Sequence, residues 1–217
     1  MARLGEAAAK PEETRMSSPI EFYFDFASPY GYLGAMRIDA LAARHGREVR
    51  WKPVLLGPIM KQIGTRPIRD LPVRGPYLEQ DAARFAAFLD IPFTLPVQWP
   101  IAALAPSRAV WWLADDRPAL AHDLAVALYD AHWGRGEDIA APEAVVRIAA
   151  GLGLDAAETD EAIRRPEVKD RLRAETEAAA AKGVFGSPFF LLDGEGFWGA
   201  DRLDQLEWRL QGSPRAG

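Results

Sequence analysis

The sequence predicts an α/β fold in which both ends of the chain contribute strands to one small sheet. Three observations support this prediction. A strand–helix–strand pattern follows a polar N-terminal segment, a long stretch of helical periodicity comes next, and two short strands and a helix close the chain. Because no linker and no repeat interrupts the 217 residues, one body is predicted rather than two independent domains.

The first unit begins at about residue 19. Apolar and polar side chains alternate over residues 20–26, which is the period of a strand. Ser28 and Pro29 then provide an N-cap residue and a proline at the first helical position. Helical spacing continues to the stop signal at Gly46, and residues 49–55 predict a second strand. Because a helix joins these two strands, they should be parallel.

The middle of the chain divides into a loop and a helical block. Residues 57–76 contain four prolines and are predicted to form a loop. Asp155 with Glu158 has the pattern of a capping box, and Pro166 stands where a helix can begin. The predicted helices cover residues 77–89, 104–115, 119–133, 142–150, 156–163 and 167–182.

The end of the chain returns to strands. Residues 189–192 predict a buried strand, residues 193–194 a turn, residues 196–198 a short pairing strand, and residues 201–210 a final amphipathic helix. The order βαβ, helical block, ββα is the thioredoxin topology with a large all-helical insertion. The predicted division is a disordered tail over residues 1–18, a core over 19–56 and 183–212, and a loop and inserted helical domain over 57–182.

Composition excludes several classes of function. The 26 lysines and arginines against 31 acidic residues give a net charge of -5, so no basic surface for nucleic acid or an anionic membrane is expected. No apolar run approaches the roughly 20 residues of a membrane helix. Residues 1–18 lack the apolar stretch of a secretory signal, which favours a cytoplasmic location.

The chain has no cysteine, so a disulfide, a thiolate zinc site and a cysteine nucleophile are all excluded. Any thiol chemistry must therefore use a thiol brought by another molecule. His45, His122 and His132 show no ligand spacing, and no metal site is predicted.

Three short segments are candidates for chemistry. Ser28 to Gly31 stands where thioredoxin-like redox proteins carry Cys-x-x-Cys, so Ser28 either only caps the helix or also stabilises a bound thiolate. Ser187-Pro188 enters the third strand, and its bond is either an ordinary trans bond or the cis bond of the thioredoxin topology. Asp201 either caps the last helix or pairs with Arg202, or it accepts from the ammonium group of a ligand.

These segments resemble one family when they are taken together. Residues 22–30 (FYFDFASPY), 183–188 (GVFGSP) and 197–202 (FWGADR) are similar to the motifs of the 2-hydroxychromene-2-carboxylate isomerases and the related kappa-class glutathione transferases. Residues 58–67 (PIMKQIGTRP) resemble the family's loop after the second strand. Three motifs in order over residues 20–210 are much more specific than any one of them. The resemblance implies a DsbA-like thioredoxin fold, usually in a homodimer.

The resemblance also implies glutathione as the cofactor, a small aromatic substrate and an isomerase. The reaction would interconvert 2-hydroxychromene-2-carboxylate and trans-o-hydroxybenzylidenepyruvate type compounds in aromatic degradation, by addition of the glutathione thiolate, bond rotation and elimination. Ser28 would face the sulfur, Ser187 before Pro188 would pair with the cysteinyl part, and Tyr30 and Trp198 would border the substrate. The remaining glutathione-binding residues implied are Lys61, Thr65, Ala200 and Asp201.

The chain departs from the family pattern at three places. Thr65 stands where members typically have asparagine, Ala102 or Ala103 stands where the isomerases commonly have another asparagine, and Gly31 replaces a usual serine. Two alternatives stay open: a glutathione transferase or peroxidase of kappa type, which would consume glutathione, and a non-catalytic binding protein on the same fold. The absence of cysteine excludes a disulfide oxidoreductase.

Overall fold

The computed structural model describes residues 18–212, so nearly all of the tail predicted over residues 1–18 lies outside the described residues. One four-stranded sheet has the order β2-β1-β3-β4. As predicted, β1 is parallel to β2 and β3 pairs with β4, here antiparallel. Strand β3 is also antiparallel to β1. The strands are β1 (Ile20–Phe24), β2 (Val49–Pro53), β3 (Phe189–Leu192) and β4 (Glu195–Trp198). This arrangement confirms the predicted thioredoxin-like fold.

Most of the described chain is helical. Prolines occupy the first position of four helices (α1, α5, α6 and α8), where the missing N–H has no intrahelical partner in any case. The helices are α1 (Pro29–Arg44), α2 (Leu56–Gln62), α3 (Arg74–Phe88), α4 (Leu104–Leu113), α5 (Pro118–Tyr129), α6 (Pro142–Gly151), α7 (Ala156–Arg164), α8 (Pro166–Ala181) and α9 (Leu203–Leu210).

The prediction of a loop over residues 57–76 was wrong in part. This stretch holds most of α2, a short 3-10 helix (Ile68–Asp70) and the start of α3. Pro58 and Pro76 each stand third in their helix, a position whose N–H would lack an intrahelical partner, so neither proline prevents the helix from forming. The prolines of this region therefore mark helix starts rather than a continuous loop.

Other boundaries differ by a few residues. The helix predicted over 119–133 is α-helical to Tyr129 and continues as one π-helical turn over residues 130–134. The last helix was expected from residue 201, but a 3-10 turn (Ala200–Arg202) comes first and α9 starts at Leu203. At α7 the carboxylate of Asp155 accepts from the backbone N–H of Glu158 at 2.8 Å, which confirms the predicted cap.

Strand β1 lies at the centre of an aromatic core. The ring of Phe22 stacks on Phe24 and on Phe190, with centroid distances of 5.0 and 5.1 Å, and meets the edge of Trp51 at 4.9 Å. The opposite face of the sheet, which carries Tyr23, packs on α2 and α8. Within residues 18–212, none of the helices is both long enough and apolar enough to cross a bilayer.

Candidate active site

Ser28 connects β1 to α1 and makes two hydrogen bonds. Its Oγ accepts from the backbone N–H of Gly31 at 3.0 Å, which caps the first turn of α1. The same hydroxyl donates to the backbone carbonyl of Ser187 at 2.8 Å. Ser28 is therefore an N-cap residue, and its hydroxyl proton points to the carbonyl of Ser187, the residue before Pro188.

Ser187 ties the two loops of the site together. The Ser187–Pro188 peptide bond is cis, which is the alternative expected from the thioredoxin topology. The side-chain oxygen of Ser187 accepts from the backbone N–H of Asp25 at 3.0 Å. Within residues 18–212 the backbone N–H of Ser187 donates no hydrogen bond. Ser187 thus offers an unpaired backbone donor beside a carbonyl that Ser28 occupies.

The backbone that leads to Ser28 is fixed by aromatic side chains of the inserted segment. Each of the three consecutive carbonyls of residues 25–27 accepts one hydrogen bond from such a side chain. The pairs are Tyr129 Oη with Asp25 O (3.0 Å), Trp133 Nε1 with Phe26 O (2.8 Å) and Trp99 Nε1 with Ala27 O (2.6 Å). Because buried carbonyls need partners, these bonds both satisfy the loop and hold Ser28 in place.

A buried carboxylate lies under the same loop. Asp25 is 6% exposed, and its two carboxylate oxygens accept from the backbone N–H groups of Ala27 at 2.9 Å and Leu56 at 2.8 Å. Burial raises the pKa of Asp25, and the two amide bonds oppose that shift. The side chain therefore joins the loop before α1 to the first residue of α2.

A cavity of about 790 Å³ opens beside Ser28, within the usual size range of ligand sites. Its lining comes from two parts of the chain. We name the lining residues within 25–30, 185–187 and 198–202 the core wall, and those within 57–101 the insertion wall. The core wall carries most of the polar groups, whereas the insertion wall is mainly apolar, with Met60, Leu78 and Phe85 among its side chains.

The cavity brings together six of the nine predicted site residues: Ser28, Tyr30, Ser187, Trp198, Ala200 and Asp201. Three do not line it. Lys61, near the end of α2, and Thr65 are exposed and lie outside the lining. Pro188 is buried behind it, against Gly34 of α1.

Asp201 is paired and exposed. Its carboxylate accepts from Arg202 Nη1 at 2.6 Å, and the side chain is 60% exposed. No side chain caps α9. Of the two structural roles considered for Asp201, the structure therefore shows the ion pair with Arg202 and not the helix cap. Next to it, Ala200 is buried and its carbonyl accepts from Arg37 of α1 at 3.2 Å.

Tyr30 links the two walls. Its hydroxyl donates to Asp81 on α3 at 2.5 Å, and Tyr77 donates to the other oxygen of that carboxylate at 3.3 Å. Burial and the Asp81 carboxylate raise the pKa of Tyr30, so the phenol stays protonated and remains a donor at neutral pH. Among residues 18–212, no cluster of histidines and carboxylates is arranged to hold a metal ion.

Comparison with known proteins agrees with this geometry. The family model of the DsbA-like thioredoxin domain matches residues 19–211. A 2-hydroxychromene-2-carboxylate isomerase from Sphingobium xenophagum is 31% identical over 199 residues, which are 88% of this chain and 97% of that protein. The chain belongs to this isomerase family. The prediction of an enzyme of the isomerase class is thereby confirmed at the level of the family.

Two further relatives extend the comparison. A solved structure of a 2-hydroxychromene-2-carboxylate isomerase superposes with a TM-score of 0.81 at 28% identity, covering 90% of this chain and 95% of the other. Glutathione S-transferase kappa 1 of Homo sapiens is 28% identical, with 86% of this chain and 88% of that protein covered. The isomerase fold and the kappa-class relationship are both confirmed.

The structure accounts for one departure from the isomerase family pattern. A Cβ added at Gly31 would lie 2.5 Å from Tyr129 Oη and 2.6 Å from Ser187 Oγ. Two hydroxyl groups thus fill the space that a side chain at position 31 would need. Ala103 precedes α4 without a side-chain cap, and nothing in the structure explains the alanines at 102 and 103 or the threonine at 65.

Sequence reasoning missed Arg69, Asp81 and Trp99, which all line the cavity. Trp111, Trp112 and Trp133, on the helical segments, do not line this cavity. The tryptophan that does is Trp99, in an irregular stretch between α3 and α4. The only local signal was its position before a proline, which carries no information about a pocket.

Proposed function

We propose that the protein is a glutathione-dependent isomerase that interconverts 2-hydroxychromene-2-carboxylate and trans-o-hydroxybenzylidenepyruvate type compounds by reversible thiolate addition. The observation that carries the proposal is that two donors lie together beside one cavity: the Ser28 hydroxyl, which is bonded to the carbonyl of Ser187, and the backbone N–H of Ser187, which donates no hydrogen bond within residues 18–212. The relatives include a 2-hydroxychromene-2-carboxylate isomerase and a glutathione S-transferase, which supports an isomerase that uses glutathione. When bound, glutathione supplies the thiol nucleophile that this cysteine-free chain lacks.

Ser28 is suited to stabilise a thiolate without losing its role as a cap. Its oxygen continues to accept from the N–H of Gly31. Rotation about the Cβ–Oγ bond redirects the hydroxyl hydrogen bond from the carbonyl of Ser187 to an anion in the cavity. The N-terminus of α1 adds a positive potential at the same place. Together they lower the pKa of a thiol bound there.

The same rotation prepares Ser187 for a peptide-like ligand. Its carbonyl loses the bond from Ser28 and becomes free to accept from an amide N–H, while its own N–H is already unpaired. We propose that Ser187 pairs in this way with the cysteinyl part of glutathione, on the surface supported by Pro188. Ala200 and Asp201 then bind the γ-glutamyl part, with Asp201 exchanging Arg202 for the ligand's ammonium group. Lys61 and Thr65 do not line the cavity, and the proposal assigns neither of them a contact with glutathione.

The insertion wall provides the substrate side of the proposal. Leu78 and Phe85 of α3 and Met60 of α2 give an apolar surface on which a planar aromatic molecule can be buried. Tyr30 and Trp198 border the same space from the core wall. The fixed loop of residues 25–28 holds the thiolate site still relative to this surface, which favours orientation of the two reactants.

The decisive experiment follows both reactants in the purified protein. With glutathione present, the absorbance of 2-hydroxychromene-2-carboxylate should change to that of its open-chain isomer, and titration of free thiol should recover all the glutathione. Loss of thiol with formation of an adduct would show a kappa-type transferase instead. No turnover with any thiol, together with peptide binding, would show a non-catalytic binding protein.

We further propose that the enzyme is a cytoplasmic homodimer. The dimer is supported by the apolar side chains of Val73, Phe88 and Val97, which are 84%, 81% and 99% exposed and offer surface that an interface would bury. Sedimentation at micromolar concentration should give twice the mass of the chain, and a monomer would contradict the proposal.

A further inference from the structure

Arg69 is the residue of the insertion wall whose charge has no hydrogen-bonded partner. Its guanidinium lies over the face of Trp99, with 4.8 Å between the carbon of the guanidinium and the ring centroid. The nearest carboxylate oxygen, on Glu79 of α3, is 3.7 Å from Arg69 Nε, which is beyond hydrogen-bond distance. Within residues 18–212 its guanidinium donates no hydrogen bond, so its N–H groups are available to a ligand.

The other charged side chains of the cavity have bonded partners. Asp25 accepts two backbone N–H groups, and Asp201 is bonded to Arg202. Asp81 accepts from Tyr30 and is also bonded to Tyr77 and Arg84. Arg69 is therefore the cation that an anionic ligand in the cavity can reach without breaking a hydrogen bond, since its ion pair with Glu79, at 3.7 Å, is longer than a hydrogen bond.

Arg69 is also held in place at both ends. The 3-10 helix that carries it touches the start of α3 so closely that a Cβ added at Gly75 would overlap the carbonyl oxygen of Arg69. At the other end, Trp99 Nε1 donates to the carbonyl of Ala27, the residue directly before Ser28. The guanidinium is thus fixed relative to the proposed thiolate site through one indole ring.

We propose that Arg69 and Trp99 form a subsite for a planar aromatic carboxylate, in which the guanidinium binds the carboxylate and the apolar insertion wall holds the ring. A guanidinium held over an indole face keeps its N–H donors, and a guanidinium can bind a carboxylate by two parallel hydrogen bonds. The inference rests on the proposed function, because it assigns a binding group to the carboxylate of that substrate class. Glutathione also carries a carboxylate, at its glycine end, so the test must separate the two sources.

The test measures binding without turnover. Coumarin-3-carboxylate is a fluorescent bicyclic carboxylate, and coumarin is its neutral counterpart. For Arg69→Leu, the Kd of coumarin-3-carboxylate should rise at least tenfold, equal to about 1.4 kcal/mol, and that of coumarin less than about twofold. Arg69→Lys should recover part of the loss, because it keeps the charge but not the paired geometry.

Arg66→Leu is the matched control, since Arg66 is an exposed arginine of the same stretch that does not line the cavity. Its Kd values should equal those of the wild type. A tenfold rise in the Kd of glutathione, with coumarin-3-carboxylate unchanged, would assign the carboxylate to glutathione. Unchanged Kd values of Arg69→Leu for coumarin-3-carboxylate and for glutathione would overturn the proposed subsite. Because no isomerisation is measured, this outcome is independent of whether the proposed reaction occurs.

Discussion

The two walls of the cavity are built by opposite means. The core wall is made at the ends of regular elements, where Ser28 starts α1 and Ser187 precedes β3, and its polar groups are bonded to one another. The insertion wall is made largely of side chains from helices and irregular chain, and it is bonded to the core wall through Tyr30 with Asp81 and through Trp99 with Ala27. We infer that the first wall fixes the thiol chemistry and the second sets which substrate is accepted.

The largest effect on stability is expected from a change at the base of the core wall. Gly31→Ala would place a methyl group against the hydroxyls of Tyr129 and Ser187, both of which are bonded to the backbone of Asp25. One of them must move, so the free energy of unfolding in denaturant should fall by about 1–3 kcal/mol. Glutathione affinity should fall with it.

Gly151→Ala is the control for this change. Gly151 ends α6, and a Cβ there meets nothing within 4 Å. Its stability should change by no more than about 0.5 kcal/mol. Equal stability of Gly31→Ala and the wild type would mean that the close packing around position 31 is not required.

A smaller effect is expected where the two walls are linked. Tyr30→Phe removes the donor to Asp81 and should cost about 1 kcal/mol of stability. It should raise the KM for the aromatic substrate and leave the pKa of the bound thiol unchanged, because Ser28 keeps its bonds. Tyr77→Phe, which removes a longer bond to the same carboxylate, should change neither quantity. A shifted thiol pKa in Tyr30→Phe would contradict the separation of the walls.

The smallest effect concerns a contact between the inserted helices and the core. His122 of α5 lies 2.8 Å from Asp39 of α1 and 3.1 Å from Asp123, and these carboxylates raise its pKa. The raised pKa means that its stabilisation is complete below about pH 6.5 and is lost as pH rises through the folded-state value. Since the pair is partly exposed, the loss should stay below about 1 kcal/mol.

Comparison with His122→Gln isolates this contribution from other titrating groups. The difference in unfolding free energy between wild type and variant should shrink from about pH 6 to about pH 8.5. A difference that is constant, or that grows, would show that the charged histidine does not tie α5 to α1.

The sequence sufficed for the core wall because its residues lie at junctions whose positions the fold determines. Strand pairing places the start of α1 beside the residue before β3, so Ser28 and Ser187 meet wherever a βαβ and a ββα unit form one sheet. The insertion wall could not be predicted in this way. Trp99 bonds to Ala27 across 72 residues, and no periodicity in its stretch of chain indicates that contact.

Lys61 and Thr65 show what tertiary packing adds to a motif. Lys61 and Thr65 were expected at the glutathione site because their stretch of chain resembles the family's loop. That stretch forms α2 and the turn after it, and both side chains are exposed outside the cavity lining. Which face of a seven-residue helix points to a cavity depends on tertiary packing, here on α8, and not on the motif itself.

The central claim is that Ser28 stabilises a bound thiolate as well as capping α1. It is tested most directly by the thiolate absorbance of bound glutathione as a function of pH. A hydrogen bond to a charged group contributes about 1.5–3 kcal/mol, so Ser28→Ala should raise the thiol pKa by about 1.5 units, at about 1.36 kcal/mol per unit.

Asp155→Ala supplies the control, because it removes the cap of α7 and should cost about 1 kcal/mol of stability without moving the thiol pKa. If Ser28 stabilises the thiolate, the titration curve of Ser28→Ala alone should be displaced to higher pH, and turnover should fall more than tenfold near neutral pH. Coincident curves for the wild type, Asp155→Ala and Ser28→Ala would leave Ser28 as a helix cap only and would contradict the account.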